Sequence, residues 1–313
     1  MMYDDQMNTT RPTRLRRRGA AALLLAPALA ACAPGALGGG ARPGSPGQAG
    51  TDAPGTIRVQ PVVPNTDLAV GRNRLALGVL AIPKGTTTPT PVPDAKLSLR
   101  FYYPIEPQPV PRGDPVQPEF RYVDDKQKGL YVTQVQFDQP GDWGVEVTGS
   151  AEGQPLATAR ARFTVKPKGD TPAIGAPAPR SRNLTRYDVD DIRKIDSGAT
   201  PNDMHELSIA DAIAQGKPLV VIFSSPGFCV TQTCAPQLGE VQKLEAKFGP
   251  QVNFVHVEIF KDPMSRTPYE TVNEWGLQSE PWTFFVDRQG LVAEKFEGPA
   301  PYAELEPALQ KLL

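Results

Sequence analysis

PLVVIFSSPGFCVTQTCAPQLGEVQKLEAKFG, residues 218–249, decides how the chain is read. It opens with a continuous apolar run, as expected of a strand buried on both faces. It closes with Leu238, Val241, Leu244 and Phe248 three or four residues apart, the period of an amphipathic helix, which Gly249 and Pro250 stop. Between strand and helix stand Cys229 and Cys234, separated by four residues. In a regular helix, residues five apart have Cα atoms about 8.7 Å apart, whereas a disulfide needs them within about 7 Å. If the pair bonds, part of the intervening VTQT is not helix. Pro236 is comfortable only in a helix's first turn. The helix is therefore expected to start near Cys234, capped by Thr231 or Thr233, with Cys229 in a loop ahead of it.

Outward from this stretch, helix and strand alternate. Ser208 can cap a short helix, SIADAIAQG, ending at Gly216. VNFVHVEIF, residues 252–260, is a second buried strand. TPYETVNEWG reads as a helix with a capping box, Thr267 as cap, Pro268 first in the helix and Glu270 reaching back. SEPWTFFVDRQGLVAEKFEG gives two strands joined by a turn at Asp287–Gly290, and a last helix carries Leu305, Leu309 and Leu312.

Residues 56–166 have a different rhythm. Short alternating runs recur: TIRVQPV, RLALGVLA, AKLSLRFYY, GLYVTQVQF, WGVEVTG and ATARARFTV. In the last, Arg160 and Arg162 fall on the face opposite Ala159, Ala161 and Phe163. QPGDW, residues 139–143, is a turn delivering a large aromatic to a core. PKGTTTPTPVPD and PIEPQPVPRGDPVQP read as long proline-rich loops, not strand interiors. The expectation is an all-β, Ig-like sandwich of about seven strands. KPKGDTPAIGAPAPRS and the polar residues after it make 167–200 a linker before a domain at 201–313.

The N-terminus reads as a targeting segment. Arg11, Arg14, Arg16, Arg17 and Arg18 precede AAALLLAPALAA, residues 20–31, which is too short to span a bilayer but suits a signal peptide. The run ends LAAC, residues 29–32, which resembles the lipobox of bacterial lipoproteins, where the signal is cut before a Cys that is then acylated. The resemblance implies a signal peptide at 1–31 and lipid attachment at Cys32, and the Gly/Ala/Pro composition with no apolar period makes 32–55 a flexible tether. The alternative is an ordinary signal peptide with Cys32 a stray thiol. The lipoprotein reading puts the mature chain in the cell envelope, membrane-anchored on the extracytoplasmic face, where disulfides persist. The net charge of −1, with no basic block beyond the N-terminus, gives no argument for nucleic acid.

The order strand, Cys-bearing helix, strand, helix, Pro-led strand, hairpin partner and final helix resembles the thioredoxin fold, nearest its extracytoplasmic TlpA-like branch. Three features carry the likeness: Phe228–Cys229 at a strand-to-helix junction, Ala235–Pro236 after the second Cys, and EPWTFFVD, residues 280–287. The resemblance implies a cis Pro281 facing the cysteines. The departure is the spacing, C-x4-C where the family usually has C-x2-C. The piece GLYVTQVQFDQPGDWGVEV, residues 129–147, resembles extracytoplasmic domains of the FixH/YtkA type, and no His, Cys or Met cluster in it could carry metal chemistry.

The implied activity is thiol–disulfide exchange with extracytoplasmic protein partners, without a soluble cofactor or metal. A helix N-terminus stabilises a thiolate. Cys229 is the candidate nucleophile, Cys234 the resolving thiol, and Pro281 the backbone platform for the partner. Glu280 is a proton acceptor, or a like charge that raises a thiol's pKa. PLVVIFSS holds no buried acid of the kind many thioredoxins place beneath their cysteines, so it offers no proton shuttle. Three rivals share these residues. One is a binding module with a structural disulfide. One is a peroxiredoxin, opposed by Pro226 where Thr or Ser is wanted and by the lack of an Arg near the strand opened by Pro281. The third is a Sco-like copper chaperone using His256, whose position beside Phe254 and Phe260 reads more simply as core. His205 reads as a surface loop residue.

Overall fold

The structure is a computed structural model that describes residues 56–313 except 84, 86, 87, 124–128 and 263. The expected signal segment 1–31, the expected lipid attachment at Cys32 and the expected tether 32–55 lie outside the described residues.

The alternating runs of 56–166 form strands β1 (Val59–Val62), β2 (Gly71–Ala81), β3 (Thr90–Pro91), β4 (Lys96–Tyr102), β5 (Pro111–Val116), β6 (Glu119–Tyr122), β7 (Gly129–Phe137), β8 (Gly141–Ala151), β9 (Gln154–Pro155) and β10 (Ala159–Val165). One antiparallel sheet runs β1-β2-β7-β6 with β3 beside β2. The other runs β10-β8-β4-β5 with β9 beside β8. Their inner faces share one core, in which Leu75, Leu77, Tyr131 and Phe137 from the first sheet meet Leu99, Trp143, Val145 and Phe163 from the second. Trp143 enters that core as its turn predicts, with its indole N–H donating to the Gln139 carbonyl at 3.0 Å. Pro111–Val116, expected as loop, is a strand because it sits at a sheet edge, where a missing N–H costs no ladder bond.

After the 3-10 turn Ile192–Lys194, the second domain comprises α1 (Ile209–Ala214), β11 (Leu219–Ser224), α2 (Cys234–Phe248), β12 (Asn253–Glu258), β13 (Phe260–Asp262), β14 (Thr267–Pro268), α3 (Glu270–Glu274), β15 (Trp282–Val286), β16 (Val292–Glu297) and α4 (Tyr302–Gln310). Its central sheet runs β12-β11-β15-β16, with β11 parallel to β12 and antiparallel to β15. Every residue of β11 is buried, as the unbroken apolar run requires. Leu238, Val241 and Leu244 of α2 and Leu305 and Leu309 of α4 cover one face of the sheet. Ile209 and Ile213 of α1 join Val272, Trp275 and Phe284 against the other. Ser208 caps α1 by accepting the Asp211 N–H at 3.1 Å. The capping box does not form at α3. Thr267 and Pro268 pair with β13, and Tyr269 precedes the helix instead.

Residues 167–200, expected as a linker, lie packed. The Ala178 N–H donates to the Gly290 carbonyl at 2.9 Å, Ala178 joins the core, and Ile195 and Asp196 are buried. The sandwich is also bonded directly to the second domain. Arg74 of β2 makes a bidentate pair with Glu304 of α4, at 2.6 and 2.9 Å, and donates to the Glu297 and Pro299 carbonyls. The Glu297 carboxylate accepts the Thr66 N–H at 2.6 Å, the Thr66 hydroxyl at 2.7 Å and the Ser279 hydroxyl at 2.7 Å. Buried Asp67 accepts the Thr171 hydroxyl at 2.6 Å and sits 3.2 Å from the Lys166 ammonium and 3.4 Å from that of Lys295.

Candidate active site

β11 ends at Ser224, and residues 226–232 then run through turns before α2 begins at Cys234. The left-handed backbone of Gln232, φ 57°, turns the chain into the helix, and the Gln232 N–H donates to the Cys229 carbonyl at 3.3 Å. The extra residues of the C-x4-C spacing are thus taken up in a loop, as the spacing argument requires. Thr233 occupies the cap position but makes no side-chain cap bond. The hydroxyls are used elsewhere: Thr231 Oγ1 lies 3.1 Å from Cys229 Sγ and 2.7 Å from Thr233 Oγ1.

Both cysteines are free. Cys229 is partly exposed and Cys234 is buried. Their sulfurs and a Glu280 carboxylate oxygen all lie within 4.8 Å of one another. The hydrogen bond from the Cys234 thiol lowers the Cys229 pKa to about 5 against the cost of burial, helped by the Thr231 hydroxyl and the Cys234 and Thr233 N–H groups. The same hydrogen bond and burial push Cys234 well above the ordinary thiol range. At neutral pH, Cys229 is a thiolate and Cys234 its proton-bearing partner.

The Glu280–Pro281 peptide is cis, as the resemblance implies. Glu280 is raised above the usual carboxylate range by burial first and by the Cys229 charge second. Its Oε1 takes the Arg266 guanidinium at 3.1 Å, while Oε2 is buried with no hydrogen-bond partner among the described residues. Arg266 also reaches the Phe228 carbonyl at 3.4 Å and lies over the Phe260 ring, 4.3 Å from its centroid. An arginine therefore does stand at this loop. It comes from the β13–β14 hairpin, a placement that sequence order does not reveal.

Behind the cysteines lies a polar layer built by segments other than β11. His205, expected at the surface, is buried. Its Nε2 donates to Asp196 Oδ2 at 3.1 Å. His256 is buried too; its Nε2 donates to the Ser224 carbonyl at 3.1 Å, and Nδ1 accepts from Asn202 at 2.9 Å. Burial and the neighbouring His205 lower His256 to about 4, so it is neutral near pH 7. Ser224 Oγ in turn donates to the Cys234 carbonyl at 3.1 Å. Buried Glu258, at the end of β12, accepts the Ser225 hydroxyl and, at 2.8 Å, the Ser197 N–H. Acids absent from β11 are thus supplied from β12 and from residue 196.

Among the described residues, two donor sets could hold a metal by proximity: Cys229, Cys234 and Glu280, and Asp196, His205 and His256. His256 belongs to the second set, not to the cysteines, so the Sco-like arrangement of two Cys and one His does not assemble.

Residues 206–313 match the family model described as a thioredoxin-like domain. This part of the chain is a thioredoxin-like domain, following a region of antiparallel sheets arranged as a β-sandwich. Among solved structures, MTB DsbF in mixed oxidized and reduced forms is 25% identical, covering 31% of this chain and 82% of its own, with a TM-score of 0.26. A Chlorobium tepidum crystal structure described as thiol:disulfide interchange protein DsbE is 16% identical, covering 45% and 99%, with a TM-score of 0.33. A thioredoxin family thiol:disulfide interchange protein from Chlorobium tepidum TLS is 16% identical, covering 34% and 85%, with a TM-score of 0.28. No curated protein matches the chain.

Proposed function

We propose that the protein is a thiol–disulfide oxidoreductase that exchanges disulfides with protein partners through Cys229 and Cys234, held at the extracytoplasmic face of a membrane by a lipid on Cys32. The carrying observation is the asymmetry of the pair: a partly exposed sulfur lowered to about 5 beside a buried thiol raised above its usual range. Exchange needs an accessible thiolate and a resolving thiol next to it.

In the oxidised-partner direction, the Cys229 thiolate attacks one sulfur of the partner disulfide. A mixed disulfide forms, and the partner's second sulfur leaves with the electron pair and takes a proton. Cys234 then gives up its proton, with a Glu280 carboxylate oxygen within 4.8 Å of its sulfur. The Cys234 sulfur attacks Cys229 and expels the partner's first sulfur as thiolate. The chain ends as the Cys229–Cys234 disulfide and the partner as a dithiol. Run backwards, the same steps oxidise a partner. The exposed side chains of Phe228 and Val230 flank Cys229 and give a partner apolar surface to rest on.

The test is trapping in cells with Cys234→Ser, which stops the sequence at the mixed disulfide. Partner adducts that disappear on reduction and are absent from Cys229→Ser support the reading. Absence of adducts, with a Cys229–Cys234 bond that resists reduction below about −300 mV, assigns the pair a structural role. Cys32→Ala is expected to release the protein from the membrane fraction.

A further inference from the structure

The sandwich and the thioredoxin-like domain together enclose a cleft of about 600 Å³. Ala76, Val123 and Leu130 line it from the sandwich, and Phe260, Val272 and Leu277 from the other side. Thr231, Thr233 and Glu280 also line it. These are the groups around the reactive sulfur: Thr231 Oγ1 is 3.1 Å from Cys229 Sγ, and a Glu280 oxygen lies within 4.8 Å of it. The cleft therefore shares Thr231 and Glu280 with the immediate surroundings of the Cys229 sulfur.

Resting on the exchange reading above, we propose that this cleft is a substrate site for an extended apolar polypeptide segment beside the partner's reacting cysteine, and that the β-sandwich supplies one of its walls. The volume is that of an ordinary ligand site and holds a few side chains, not a folded surface. The walls are aliphatic and aromatic, so affinity comes from apolar burial. The charged groups discriminate against acidic segments. Glu280 and Glu297 both line the cleft, and the Arg266 guanidinium that also lines it is engaged by Glu280 and the Phe228 carbonyl. The walls are fixed before substrate arrives. Arg74, two residues from Ala76, is bound to Glu304, and Glu297 is bound to Thr66 and Ser279. A preformed site spares the ordering cost of binding.

The test uses the full chain carrying Cys234→Ser and three probes. Two are equally long cysteine peptides activated as 5-thio-2-nitrobenzoate disulfides, one flanked by Leu, Val and Phe, the other by Glu, Asp and Ser. The third is the symmetrical small disulfide of the same nitrobenzoate. Cys229 attacks the peptide sulfur, the protein–peptide disulfide forms, and coloured thionitrobenzoate leaves with the electron pair. Relative to the small disulfide, the apolar peptide is expected to react about tenfold faster than the acidic one. Leu130→Asp, on the sandwich wall, and Asn273→Trp, which fills the cleft from an exposed position, are each expected to erase that preference. If the protein reacts with the small disulfide but treats both peptides alike, or if neither substitution changes their ratio, the cleft proposal fails while the exchange reading stands. If it reacts with none of the three, both fail.

Discussion

The Thr231 hydroxyl lies 3.1 Å from the Cys229 sulfur and is itself backed by Thr233 at 2.7 Å. A hydroxyl that donates to a thiolate stabilises the charged form only, so this contact bears on acidity and redox potential together. Thr231→Val keeps the shape and removes the donor. The Cys229 pKa is expected to rise by about one unit, and the potential to become more negative by roughly 30 mV, because the reduced form loses its stabilisation. Thiolate absorbance against pH and a glutathione redox titration measure the two.

The pH dependence of alkylation follows from the same thiolate. With Cys229 at about 5, the rate with iodoacetamide is expected to be flat above pH 6 and to fall about tenfold per unit well below 5. The largest contributor is the Cys234 thiol. Cys234→Ala removes it, and the midpoint moves upward. A midpoint left near 5 in that variant would show that the two sulfurs are uncoupled.

His256 makes the fold acid-sensitive in a defined window. Burial lowers its pKa from the usual 6.5 to about 4, so the unfolded chain binds the proton more readily than the folded one. Stability is therefore full above pH 6.5 and declines as pH falls toward 4, by roughly 3 kcal/mol at most. The groups around the ring are Asp196, His205, Asn202 and the Ser224 carbonyl. Asp196 is held below the usual carboxylate range although burial opposes it, so its loss comes at lower pH. Urea melts at pH 7.5, 6 and 5 test this, with His256→Asn expected to lose the step between pH 6.5 and 4.

Gly227 precedes the cysteine loop where the Ser197 backbone crosses it. A Cβ there would stand 2.4 Å from the Ser197 carbonyl oxygen, while the Gly227 N–H donates to Ser197 Oγ at 3.0 Å. Gly227→Ala is expected to displace the loop, costing about 1–3 kcal/mol and raising the Cys229 pKa. Thermal melting and the alkylation profile read the two effects separately.

The Arg74–Glu304 pair joins the domains with both side chains largely out of solvent, 5% and 14% exposed. Arg74→Ala leaves a carboxylate buried without its partner, an expected loss of about 3–5 kcal/mol. A midpoint shift in guanidinium unfolding, with the far-ultraviolet spectrum unchanged before the transition, is the signature.

Much of this arrangement is legible in the chain. The apolar run of β11, the helical period after Cys234 and the alternation in ATARARFTV each carry the period of the element they form. Pro236 marks the start of α2 because a proline fits only its first turn. The polar layer was not legible, since residues 183–205 have no apolar period and their order comes from side-chain hydrogen bonds, some within the segment around Asp196 and some to Glu258 and His256 of β12. His205 looks like a surface residue until Asp196 is placed beside it. The Thr267–Pro268 capping box failed because strand pairing with β13 claimed both residues. The Pro111–Val116 edge strand was hidden by prolines that an outer strand tolerates.

Glu297 ties residues 65 and 66 of the sandwich to Ser279, one position before Glu280 and two before the cis proline. Cutting the chain at the domain boundary would therefore strip the Glu297 carboxylate of the four hydrogen bonds it accepts from Asn65, Thr66 and Asp67, while it still holds the segment that leads into Glu280. A thioredoxin-like fragment expressed alone is a different reagent from the intact molecule, and rates measured on it would describe an active site with its scaffolding removed.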